Sequence, residues 1–151
     1  MREKAKVGIA SDGRNMHYSV GAVIKKDGKF LLIDRKKPPQ GFAGLAGHVD
    51  EKEEEEKAIV REVKEESGLA VRKLKLLAKE EIPWNTCSKG ITVHYWFLYE
   101  CEAEGKVRLN KKEAKLIGWF SAEDIRRLRL EPVWAYWFRK LGIISYSETG
   151  K

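Results

Sequence analysis

Apolar residues recur at every second position from Met16 to Lys25, where Val20, Ala22 and Ile24 alternate with smaller or polar neighbours. That period belongs to a strand with one face against a core. Asp27-Gly28 follows, a pair suited to the positive φ values of a two-residue hairpin, so Phe30 to Ile33 reads as the returning strand, ending at Asp34-Arg35. Pro38-Pro39-Gln40-Gly41 cannot continue a ladder and reads as loop. From Glu54 to Ser67 the composition turns to helix formers without internal Gly or Pro, and Gly68 stands where a left-handed cap is wanted. Val71 to Ile82 and Ile91 to Cys101 read as two further strands, joined by an irregular Pro83 to Gly90, with a shorter strand at Leu116 to Phe120. Ser121 with Asp124 three residues later forms a variant of the capping box. Pro132 suits the first turn of a last helix, which Gly142 ends. Its Trp134, Trp137, Phe138 and Leu141 share one face, and the helical spacing favours a buried stripe over a ligand surface.

Strands, one early helix, more strands and terminal helices define an α/β chain with a mixed β-sheet covered by helices. No repeat or linker divides the 151 residues, so one domain is expected over 1–151, with 1–15 as a peripheral N-terminal extension. Hydrophobic residues make up 42% and charged residues 35%, a globular composition with a heavily ionised surface. The longest strongly apolar run, Tyr95 to Tyr99, is far too short to cross a bilayer, and the N-terminal residues lack a signal-peptide core. Cys87 and Cys101 are too few for a disulfide scaffold and have no zinc-ligand spacing, so a reduced, cytoplasmic protein is expected.

The net charge of +7 suits a polyanionic partner without choosing among nucleotides, nucleic acid and acidic membranes. The acids are concentrated, however: nine of the 23 lie between Asp50 and Glu66. On a helix Glu62, Glu65 and Glu66 stand at i, i+3 and i+4, so their carboxylates share one side, bordering an apolar stripe of Ile59, Val60 and Val63. Like charges so placed repel by a few tenths of a kcal/mol per pair in water, and by more at the edge of a core. A bound divalent cation removes the conflict. Oxygen-only donors favour a hard ion, magnesium before zinc. Glu54, Glu55 and Glu56 read instead as a solvated face. His17, His48 and His94 have no visible partners and read as structural or exposed.

Gly47, five residues, Glu53, seven residues, then Arg61-Glu62-Val63-Lys64-Glu65-Glu66-Ser67-Gly68-Leu69 resembles a complete Nudix box. The resemblance implies an α/β/α sandwich in which the box forms a loop, helix and loop. It also implies a Mg²⁺-dependent hydrolase (Mn²⁺ being an alternative) that cleaves the phosphoanhydride bond of a nucleoside diphosphate linked to another moiety. By that similarity Glu62, Glu65 and Glu66 bind the metal, together with the carbonyl of Ala46, and Glu62 also orients or deprotonates water. Glu53 and Arg61 would pair to brace the loop, Gly47 would let backbone approach the metal, and Gly68 would close the helix. Many members carry Pro-Gly where this chain has Leu45-Ala46.

Glu113, just before the strand at Leu116, is the second candidate base, at a position where some Nudix hydrolases place a catalytic Glu. Arg35 is the candidate phosphate ligand and Trp84 the candidate stacking surface for the substrate. Pro83, 15 residues beyond Gly68, resembles a Pro of members that cleave ADP-ribose. Asn85-Thr86-Cys87-Ser88 resembles the segment around the active cysteine of isopentenyl diphosphate isomerase, a relative of the same fold. There that segment precedes the box-like helix, whereas here it follows, so the likeness reads as accidental. Two alternatives stay open: an isomerase of that kind, using Cys87, and a non-catalytic nucleotide- or nucleic-acid-binding module. The second lacks a nucleic-acid motif. The partner expected is a nucleotide-like small molecule rather than a membrane, and the sequence sets neither a monomer nor a homodimer.

Overall fold

The strand read from Met16 to Lys25 is the spine of the molecule. It is β2 (Asn15–Lys26), and every other part of the sheet is built out from it. The computed structural model describes residues 4–87 and 89–145. Around β2 stand β1 (Val7–Ile9), β3 (Lys29–Arg35), β4 (Gly41–Ala43), β5 (Leu45–His48), β6 (Ala70–Ile82), β7 (Val93–Glu104) and β8 (Ala114–Ser121). The helices are α1 (Glu55–Ser67), α2 (Ala122–Arg127) and α3 (Pro132–Lys140).

On one side β2 pairs antiparallel with β1 and then β5, on the other parallel with β7, which carries β6 at its far edge. Asp27 (φ 52°) and Gly28 (φ 78°) make the tight turn expected of them. Only the tail of β2, Lys25 and Lys26, pairs with β3, which is then flanked by β4 and β8. The sheet is therefore mixed. Successive side chains of β2 point to opposite faces. Val20, Ala22 and Ile24 pack with Leu31, Leu45, Ala58, Ile59 and Val63 beneath α1. Val23 packs with Leu32, Leu98, Trp134, Trp137 and Phe138 beneath α3. Helices thus cover both faces, an α/β/α sandwich. The aromatic stripe of α3 is its buried face, with Trp134, Trp137 and Phe138 at 1% exposure or less.

The caps follow sequence chemistry. Ser121 accepts from the Asp124 amide while Asp124 accepts from that of Ser121, and Pro132 opens α3 behind Glu131, whose carboxylate accepts from the Val133 amide. The structure differs from the sequence reading in places. Strands β1, β4 and β5 are three or four residues long, below the length at which alternation registers, and Gly41, read as loop, opens β4. Val60, read as part of the apolar stripe, is 40% exposed. The buried face of α1 instead runs through Ile59, Glu62, Val63 and Glu66, the i, i+3, i+4 and i+7 positions, so two acids lie within it. The N-terminal segment lies along the edge: Lys6 donates to the Val49 carbonyl, and the Glu51 amide to that of Lys4. No helix among the described residues is long and apolar enough to cross a membrane.

Candidate active site

Helix α1 meets the end of β5 across a short acidic loop, and Arg61 ties the three together. Its Nε and Nη2 donate to both oxygens of Glu53 at 2.9 Å, its Nη1 to Glu62 Oε2 at 2.8 Å, and its Nη2 to the His48 carbonyl at 3.0 Å. Glu53 Oε1 also accepts from the Asp50 amide. Asp50 and Glu65 lie 3.5 Å from the guanidinium. The planar fork of Arg suits this many-sided contact, which a point-charge ammonium cannot reproduce. Glu53 above all, then Glu62 and Asp50, raise the Arg61 pKa further above its already high ordinary value. At the other end of α1, Gly68 adopts φ 79° and returns its amide to the Lys64 carbonyl.

Glu62 and Glu66 are 4% and 7% exposed, whereas Glu65 reaches solvent. Burial, and then the charge of Glu62, push the Glu66 carboxyl well above the usual carboxylate range, against the opposing pull of the Ala46 amide and Arg35. That amide donates to Glu66 Oε1 at 3.1 Å instead of to β2. Ala46 faces Gly21 in an antiparallel ladder, and at such a non-hydrogen-bonded pair the carbonyl turns away from the partner strand as well. Both backbone groups of Ala46 therefore face the acids. Gly47 makes room for them: a Cβ there would fall 2.0 Å from the Glu62 carboxyl carbon.

These groups wall a cavity of about 340 Å³. Glu62, Glu65, Glu66 and Ala46 share it with Arg35 and Glu113. Arg35 is steadied by a 2.8 Å bond from its Nε to the Pro39 carbonyl, and Glu113 lies 3.5 Å from Lys37 at the rim. Trp84 is a correction. It does not line the cavity, because the turn after β6 carries it to the surface, 48% exposed, with its ring edge-on to Tyr136 at 5.7 Å. Sequence reasoning missed Glu131 as a wall residue, since an N-cap acid carries no signal that it reaches a cavity. It also read three histidines as unpartnered. The structure corrects this: His17, His48 and His94 gather with Cys87, their candidate ligand atoms within 4.8 Å of one another. The positions are far apart in the chain and form no spacing motif, so only the strand register reveals them. Ser88 of the Asn85-Thr86-Cys87 segment lies outside the described residues. Cys101 is buried, and burial pushes its thiol up to about 12, which leaves it chemically quiet.

The NUDIX domain family profile matches residues 15–141. Over 108 residues the chain is 31% identical to the human protein named NAD(P)H pyrophosphatase NUDT13, mitochondrial, covering 70% of this chain and 30% of that one. Over 67 residues it is 45% identical to an ADP-ribose pyrophosphatase of Methanocaldococcus jannaschii, covering 43% of this chain and 40% of the relative. A NAD-capped RNA hydrolase, NudC, of Klebsiella pneumoniae is 31% identical over 103 residues, covering 68% and 38%. The chain thus spans well under half the length of these curated relatives. Among solved structures, a MutT NUDIX hydrolase from Burkholderia pseudomallei superposes with a TM-score of 0.64 at 29% identity, covering 72% of this chain and 85% of that one.

Proposed function

The chain belongs to the Nudix family, and from that premise we propose that it hydrolyses a pyrophosphate linkage within a nucleoside diphosphate joined to a second group, with the help of a divalent cation. The observation that carries the reading is the placing of Glu62 and Glu66 within the buried face of α1, in the wall of a cavity that also presents Arg35. The donor set fits a hard ion. It consists of carboxylates and a backbone carbonyl, and a divalent cation beside Glu62 and Glu66 would offset the burial and like charge that push the Glu66 carboxyl upward. Glu62, Glu65, Glu66 and the Ala46 carbonyl would hold Mg²⁺ or Mn²⁺. When bound, the ion polarises phosphate oxygens and lowers the pKa of water.

The protein's own groups do the rest. Arg61 holds Glu62 in place from 2.8 Å, so Glu62 can orient the attacking water or take its proton. Glu113, at the rim, is the second candidate for that proton. Arg35 faces the cavity with its fork steadied by Pro39, a geometry suited to bidentate contact with phosphate. The named substrates of the relatives (NAD(P)H, NAD-capped RNA and ADP-ribose) share an adenosine diphosphate esterified to ribose. We extend that substrate class to this chain. Cys87 and Cys101 are free thiols, in keeping with a reducing, cytoplasmic setting.

The test is a panel of ADP-ribose, NADH, NAD-capped RNA and ATP with Mg²⁺ or Mn²⁺, with products identified by mass. Cleavage of at least one diphosphate with gain of water is expected. Absence of turnover with every substrate in both metals would overturn the reading. One observation favours a second reading: Cys87 lines the same cavity, as an isomerase would need. Product of unchanged mass, abolished by Cys87→Ala, would establish that reading instead.

Gly47→Ala offers a sharper check on the metal. The added methyl would overlap the Glu62 carboxylate, which Arg61 pins from the other side at 2.8 Å. The protein is expected to fold with a loss of about 1–3 kcal/mol. Its apparent affinity for Mg²⁺, read from the metal dependence of turnover, should weaken by about 10–100-fold. An unchanged metal dependence would show that Glu62 is not a ligand.

A further inference from the structure

We infer that His17, His48, His94 and Cys87 form a second metal site, separate in chemistry from the carboxylates, that takes one zinc-class divalent ion in four-coordinate geometry. Three of the ligands are fixed by the sheet. His17 lies on β2 directly opposite His94 on β7 in the parallel ladder. Two residues further along β2, Ser19 faces His48, the last residue of β5. Three adjacent strands thus present three imidazoles towards one point, with ring centroids 4.7 to 5.8 Å apart. Cys87 arrives from the irregular segment between β6 and β7, its Sγ 3.9 Å from His17 Nδ1.

The spacing is close to what an ion requires. Zinc bonds of about 2.0–2.1 Å to nitrogen and about 2.3 Å to sulfur place tetrahedral ligand atoms roughly 3.3–3.7 Å apart. The four atoms lie within 4.8 Å, so drawing the group inwards by about an ångström completes the sphere. Side-chain rotation of His48 and Cys87, both only partly buried, can supply that movement.

A second observation points to a ligand. His94 is 2% exposed, and no well-formed hydrogen bond reaches either of its ring nitrogens. A buried polar group left so costs about 1–3 kcal/mol, and a metal bond to one nitrogen removes much of that cost. Burial, then the neighbouring His17, lower the His94 pKa against a weak pull from the Asn85 backbone. Imidazole and thiolate select zinc, cobalt or copper over magnesium, whereas the nearby carboxylates prefer the reverse. The two sites can therefore fill independently.

The position gives the ion a task. His48 follows Gly47, and its carbonyl accepts from Arg61, so a metal on its ring fixes the entry to the acidic loop. Cys87 would at the same time fasten the chain from Pro83 to Cys87 against the cavity wall, which Cys87, His48 and His94 all help to line. With four protein ligands the site is closed, the mark of a structural ion rather than a catalytic one.

The experiment is cobalt titration of the full, metal-stripped chain, prepared without a polyhistidine tag and followed by absorption. With excess Mg²⁺ present to occupy the carboxylates, one equivalent of Co²⁺ is expected to bind, giving the intense visible bands of a tetrahedral ion and a near-ultraviolet thiolate charge-transfer band, both bleached by one equivalent of Zn²⁺. Cys87→Ser should lose the charge-transfer band, and His17→Asn should weaken binding more than tenfold. Cys87 is half-buried on a loop, so its variant reports on ligation rather than on folding. Glu66→Gln should leave the spectrum unchanged, which separates this site from the carboxylates and needs no substrate turnover. Weak octahedral bands alone, a charge-transfer band that survives in Cys87→Ser, or bands lost in Glu66→Gln would each overturn the inference.

Discussion

Glu62→Gln is expected to lower turnover by about 10²–10⁴-fold while the protein stays folded. Glutamine keeps the shape of the side chain and can still accept from Arg61 Nη1, which now bonds Glu62 Oε2 at 2.8 Å. It cannot take a proton from water, and it is a poor ligand for a hard ion. Glu66→Gln separates ligation from folding more cleanly still. The amide oxygen can keep the bond from the Ala46 amide, and the variant loses the charge that burial and Glu62 both disfavour. Without metal, Glu66→Gln should therefore melt at or above the temperature of the parent protein. With Mg²⁺ at about 100 times its Kd the parent gains about 2.7 kcal/mol by linkage, and the variant should gain little or none at the same concentration. Steady-state kinetics and thermal unfolding with and without Mg²⁺ read both effects. Turnover of Glu62→Gln within threefold of the parent would remove Glu62 from the mechanism.

The acidic helix was legible from sequence for a related reason. Glu62, Glu65 and Glu66 share one side of a helix beside its apolar stripe, which conflicts with folding logic, and a local conflict of that kind marks a functional site. The helix, its Gly68 cap, the β2–β3 hairpin and the Ser121 capping box were legible because each rests on contacts within a few residues. Strands β4 and β5 were not, since a three- or four-residue strand owes its existence to its neighbours: Leu45 to His48 are extended because β2 lies alongside. The same limit hid the histidines. Whether His17 faces His94 depends on a parallel register between strands whose residues are 77 positions apart, and no local pattern encodes it. Trp84 failed for the opposite reason. Its chemistry suited stacking, but the turn after β6 leaves its ring exposed and edge-on to Tyr136, outside the cavity lining. Arg35 and Glu113 reach the cavity because both flank the β3–β8 pairing, where Arg35 faces Ala114.

Arg61→Met should be the most destabilising of the substitutions considered for the acidic loop. Glu53, Glu62 and Asp50 are all mostly buried around the guanidinium, and Met fills part of its volume without its charge. Removing one partner from a buried ionic network costs about 3–5 kcal/mol because the remaining charges lie desolvated and unopposed. Arg61 keeps 21% of its side chain exposed, which places the loss towards the lower end. At about 2–4 °C per kcal/mol for a chain of this size, Tm should fall by roughly 6–12 °C. Arg61→Lys should fall between the two, since one ammonium cannot grip both Glu53 oxygens, Glu62 and the His48 carbonyl at once. If the cost arises from stranded acids, adding Glu53→Gln to Arg61→Met must return part of it, and the pair must fall short of the sum of the single losses. Strict additivity, or a melting point within 2 °C of the parent for Arg61→Met, would mean that the loop is held by packing alone. Glu62 would then owe its position to Gly47 and the helix.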